Sequence, residues 1–251
     1  MTRPGCNMRD KFGLPLLEAI SDWQRGGDAK QNILRGQALK ESCMSLPEKY
    51  RTCALCCFRQ VGLPKGGVWS LIGEDRLPEK ISSWTVDLEV AKDFKGGVPP
   101  QGQGYQGVIL CVYPQPGSVI VNLWELYQDP AFTAALEEKK ASINGYPNGA
   151  GRYGKGQNEV VLEVAAVTQQ DIYSMGGHSS PFEYLVAQAA DAMYGREATP
   201  AEREGLLLKV EHVRSEAGPQ WLSPEATQRV ITRMKPYAER LGEIKRQQQE
   251  N

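Results

Sequence analysis

Leu14, Leu16, Leu17, Ile20 and Trp23 recur at the spacing of one helix face, and Ile33, Leu34 and Leu39 continue the habit, so the first fifty residues are predicted helical. Ser45-Leu-Pro-Glu48 has the form of a capping box with proline in the first turn. From Cys53 the texture changes to short β-type runs punctuated by glycine and proline. Strands are predicted at 52–58, 68–72, 107–113, 118–121 and 159–166. Two glycine-rich loops, 95–105 and 144–156, interrupt them, and loops of that length inside a compact domain tend to carry function. After about residue 178 the helical period returns. Ser180-Pro-Phe-Glu183 and Thr199-Pro-Ala-Glu202 are capping boxes, and Ser223-Pro224 opens a helix with a stripe of Val230, Ile231, Met234, Tyr237, Ala238, Leu241 and Ile244. Pro236 is predicted to kink or split that helix. The order of helices, antiparallel sheet and helices makes the fold class α+β.

Composition narrows the picture. The 251 residues are 41% hydrophobic and 24% charged, ordinary for a globular chain, and 29 Lys plus Arg against 30 Asp plus Glu exclude a globally basic nucleic-acid coat. The longest uninterrupted apolar run, 108–113, is far too short to span a bilayer, and residues 1–10 lack the apolar stretch of a secretory signal, so a cytoplasmic protein, or one exported by a route that needs no such signal, is expected, with no membrane partner. The cysteines at 53, 56 and 57 invite a metal reading. The histidines, His178 and His212, are remote in sequence, so no metal is predicted and buried thiols in a strand are expected rather than a disulfide scaffold.

Candidate chemistry comes from polar residues at strand ends. Arg59 directly follows the predicted strand 52–58, where a guanidinium suits a phosphate or pyrophosphate. Ser83 and Thr85 alternate with Trp84 ahead of a helical segment that ends Ala91-x-x-Phe94, so two hydroxyls share a face. Gln157 and Glu159 alternate where the second glycine-rich loop enters the run Val160-Val-Leu162, and a carboxylate there can bond a ribose hydroxyl and stabilise positive charge on the sugar.

Taken in this order, Arg59, Ser83-x-Thr85 and Gln157-x-Glu159 resemble the R-S-E class of mono-ADP-ribosyltransferases, which includes many bacterial and phage toxins. The resemblance covers about residues 45–170, roughly half the chain. Trp84-Thr85 stands where the family often has Thr-Ser after the serine, and Gln60 where it has glycine after the arginine. The resemblance implies a split β-sheet core in a catalytic domain over 1–178 (helical lead-in 1–50, β-rich core 51–178), with a helical extension over 179–251. It implies NAD+ as co-substrate, cleaved between nicotinamide and ribose. Arg59 would hold the NAD phosphates, Ser83 would support the ribose and the catalytic carboxylate, with Thr85 as a lesser support, and Glu159 would stabilise the oxocarbenium-like transition state. Phe94 or Tyr105 would stack on a ring.

The same resemblance places Gln157 on a target-recognition loop, where glutamine goes with neutral acceptors. A neutral amide can pair with another amide or with a base edge. Lys139, Lys140, Arg152 and Lys155 interleave with Tyr146 and Tyr153, a pattern suited to phosphate contact and base stacking. The expected acceptor is therefore a nucleobase of RNA or DNA, with a protein side chain as the alternative. A non-catalytic binding module on the same fold and a neutralising partner protein docked on the helical tail also remain open.

Overall fold

The computed structural model describes residues 12–100, 104–154, 156–176, 182–213 and 220–249. The chain runs α1 (Leu14–Arg25), α2 (Ala29–Cys43), β1 (Cys57–Pro64), α3 (Lys65–Gly73), β2 (Leu77–Pro78), β3 (Ile81–Thr85), α4 (Leu88–Asp93), β4 (Tyr105–Val112) and β5 (Val119–Asn122). It continues α5 (Leu123–Gln128), α6 (Pro130–Lys139), α7 (Ala150–Tyr153), β6 (Glu159–Glu163), β7 (Ala166–Val167), β8 (Ile172–Gly176), α8 (Phe182–Tyr194), α9 (Pro200–Val210) and α10 (Pro224–Gln249). The class is mixed α and β with antiparallel strand pairing, as the hydrophobic pattern predicts. Two compact units are built from interleaved segments: the first from residues 1–58, 78–90 and 112–166, the second from 59–77, 91–111 and 167–251.

In the first unit β5, β6 and β3 lie side by side, with Phe58 of β1 paired to Thr85. Helix α1 lays Leu16, Leu17, Ile20 and Trp23 into a core shared with Leu39, Tyr50, Val121, Leu126, Phe132 and Val161. A glycine in the left-handed region, Gly26 with φ 68°, ends α1. Asp28 and Gln31 form a reciprocal capping box that starts α2. Helix α7 approaches α1 so closely that a Cβ on Gly149 would stand 2.1 Å from the Ser21 carbonyl oxygen, so only glycine fits there.

In the second unit β4 and β8 pair from Gly107 opposite Gly176, with a bulge between Ile109 and Leu110. Helix α10 is tied to β8 through the Thr227 hydroxyl, which accepts from the Met175 backbone N–H at 3.1 Å, and it packs on α3 so tightly that Gly73 has no room for a side chain against Ala238. Ile231 and Ala238 are buried on α10, whereas Tyr237, Leu241 and Ile244 of the predicted stripe are exposed.

The structure corrects several local expectations. Residues 68–72 belong to α3, because Val68, Leu71 and Ile72 sit at helical spacing and all three are buried. Residues 52–56 are irregular and β1 begins at Cys57, so Arg59 lies inside the strand rather than after it. Glu48–Tyr50 forms a single 3-10 turn in place of a capped helix. The predicted strand 159–166 breaks after Glu163, and the loop 144–156 contains a 3-10 turn at Tyr146–Asn148 as well as α7. Pro236 lies within α10, which continues through it unsplit. The Ser180 capping box falls outside the described residues, while that at Thr199 is formed.

Candidate active site

The register of β3 against β6 explains how residues 76 positions apart meet. Thr85 stands opposite Glu159 and Ser83 opposite Val161, so the period of two puts Ser83, Thr85 and Glu159 on one face. Trp84 takes the other face, where its indole Nε1 donates to Ser82 Oγ at 2.9 Å. Trp84 therefore leaves the Ser83 hydroxyl in place. Ser83 Oγ donates to Glu159 Oε1. Ser83 is half-buried and Glu159 is 4% exposed, so the carboxylate lies beneath the hydroxyl.

Burying a carboxylate costs several kcal/mol unless donors replace its water. Here α1 supplies them. Trp23 Nε1 donates to Glu159 Oε1 at 2.8 Å, and Gln24 Nε2 donates to Oε2 at 3.3 Å. Each hydrogen bond to a charged group is worth about 1.5–3 kcal/mol. Tyr127 of α5 donates its hydroxyl to Gln24 Oε1 at 2.9 Å. Its phenol is pushed well above the ordinary tyrosine range by burial and, secondarily, by the nearby Glu159 charge. Trp23 was legible only as the end of an apolar stripe, and Gln24 and Tyr127 gave no sequence signal.

Gln157 precedes β6. Asn158 adopts φ 45°, so strand alternation does not extend back to Gln157 and does not set its direction, contrary to expectation. Asn158 is held by its Nδ2, which donates to Asp87 Oδ2 at 3.2 Å. Thr85 Oγ1 accepts from the Asp87 backbone N–H at 3.1 Å and so shapes the turn into α4. Arg152 is exposed and stacks over the half-buried Tyr153 ring at 5.1 Å. Lys139 donates to the Phe12 carbonyl at 3.2 Å and Tyr146 packs against the first unit's core, so these members of the basic and aromatic series serve the fold. Lys155 lies outside the described residues.

Arg59, Phe94 and Tyr105 belong to the second unit. Phe94 and Tyr105 are about half exposed. Gln60 donates through Nε2 to the Gly97 carbonyl at 2.7 Å and thereby pins the loop after α4.

The cysteines differ from expectation. Cys56 and Cys111 are disulfide-bonded rather than thiols, and residues 52–56 are irregular rather than a buried strand. Cys43 is a buried thiol, pushed up to about 12 by desolvation. Cys53 and Cys57 have sulfurs 3.8 Å apart, and the hydrogen bond from Cys57 holds the half-buried Cys53 below the usual thiol range. Brief iodoacetamide treatment of the native protein at neutral pH is expected to alkylate Cys53 well before Cys43, with peptide mass spectrometry as the readout. Among the described residues, no group of three His, Cys, Asp or Glu could hold a metal ion. No helix among them is long and apolar enough to cross a membrane.

No protein-family model, no curated protein and no solved structure matches the chain.

Proposed function

We propose that this chain is an NAD-dependent mono-ADP-ribosyltransferase of the R-S-E type, acting as a toxin, with Glu159 as its catalytic carboxylate. The observation that carries the reading is the Ser83 hydroxyl bonded to a buried, multiply hydrogen-bonded Glu159 across β3 and β6. A carboxylate fixed in this way acts most strongly on charge that develops only in the transition state. In the proposed reaction the bond between ribose C1′ and the nicotinamide nitrogen breaks, and its electron pair leaves with neutral nicotinamide. Glu159, bonded to the ribose 2′-hydroxyl, stabilises the cationic sugar. The acceptor then bonds to C1′ and gives up its proton to solvent. By the same resemblance Arg59 is assigned the NAD phosphates and Phe94 or Tyr105 a ring of the dinucleotide.

The neutral Gln157 and the Arg152–Tyr153 pair support a nucleobase of RNA or DNA as acceptor. The test is NAD labelled in its adenosine half, added to a lysate with the purified protein. Label lost to nuclease and resistant to protease is expected. Label lost to protease alone would assign the acceptor to a protein side chain. No incorporation, together with no nicotinamide release, would leave a non-catalytic binding module.

A further inference from the structure

Resting on the proposed activity, we infer that Trp23, Gln24 and Tyr127 are positioning residues for Glu159, and that the Gln24 amide is the donor that yields when a substrate hydroxyl takes its place. Trp23 and Gln24 are consecutive on α1 and so project about 100° apart, one toward each carboxylate oxygen. The indole is rigid and can only donate. At 2.8 Å it sets Oε1, the oxygen that Ser83 also reaches, and so fixes the plane of the carboxylate.

Oε2 receives Gln24 at 3.3 Å, at the long end of the useful range, so that contact is the cheaper one to exchange. A glutamine amide presents oxygen or nitrogen by a simple flip, and the flipped form would set a carbonyl against the carboxylate. Tyr127 prevents the flip, because its hydroxyl donates to Gln24 Oε1 and thereby turns Nε2 toward Glu159. Burial keeps that phenol protonated, and therefore a donor, through neutral pH. The relay α5 to α1 to β6 lies within the first unit. Apolar residues at 23 and 24 would satisfy packing alone and take from the acid the two donors that α1 supplies.

The test is steady-state release of nicotinamide from NAD by the full chain carrying Trp23→Phe, Gln24→Leu or Tyr127→Phe. The first two are expected to lower kcat by roughly 10–100-fold and the third by several-fold, with KM for NAD within about threefold of wild type. Tyr127→Phe keeps the ring and so guards against loss through misfolding. In parallel, the Trp23 indole N–H resonance of the unliganded protein is followed by ¹H–¹⁵N NMR and is expected to move upfield on Glu159→Gln. An active wild type whose three variants keep kcat within threefold overturns the positioning role, as does an indole signal indifferent to Glu159→Gln. A wild type that releases no nicotinamide while the indole signal still moves overturns the proposed activity instead.

Discussion

Glu159→Gln is expected to lower kcat for nicotinamide release on the order of 10³-fold while leaving the melting temperature unchanged or slightly raised. The two side chains have the same shape, so the packing of β6 against α1 survives. What disappears is the negative charge that the reaction would use, together with its desolvation cost. Trp23 and Ser83 can still donate to the remaining amide oxygen, although the new amide nitrogen meets Gln24 as donor against donor. A side chain held only for structure would give the opposite result: breaking a buried charge network would lower stability, and NAD turnover would change little. Kinetics and a thermal melt on the same preparation separate the two.

Trp84→Ala should have the largest effect on stability, about 3–5 kcal/mol in urea denaturation, a substantial part of the 5–15 kcal/mol available to a typical domain. Trp84 is 2% exposed on β3, and its indole N–H donates to Ser82, itself buried. Removing the ring leaves a cavity and takes away the donor to Ser82 Oγ, which keeps its own hydrogen bond to the Lys80 carbonyl. Trp84→Phe fills most of the space and is expected to cost about 1–2 kcal/mol, chiefly for the lost hydrogen bond. Because Trp84 faces away from Ser83, the folded fraction of either variant should retain wild-type kcat. A folded Trp84→Phe protein with strongly reduced kcat would contradict this separation of faces.

How far the sequence disclosed these features depended on the physical signal behind each. The α1 stripe and the Thr199 capping box are local patterns, and both appear where expected. The pairing of Ser83 with Glu159 came from short motifs whose significance lay in their order, and only the β3–β6 register makes it a contact. Val68–Leu71–Ile72 misled because a short apolar run fits a strand or a helix equally well until its neighbours choose. Arg59 was misplaced because residues 52–56 look like a strand in composition yet are irregular, and β1 begins later. Helices α5 and α6 were missed, since each is short and relies on a cap from Asn122 or Asp129 rather than on a long periodic face. Gln24 and Tyr127 carry no periodic or motif signal at all. Their place around Glu159 is a tertiary fact.

The most direct measurement is the appearance of free nicotinamide when the purified full chain is incubated with NAD labelled in the nicotinamide ring, alone and with cell lysate as a source of acceptor. Nicotinamide is expected in proportion to the protein added, and faster with lysate. No nicotinamide under either condition, from protein shown to be folded, would contradict it.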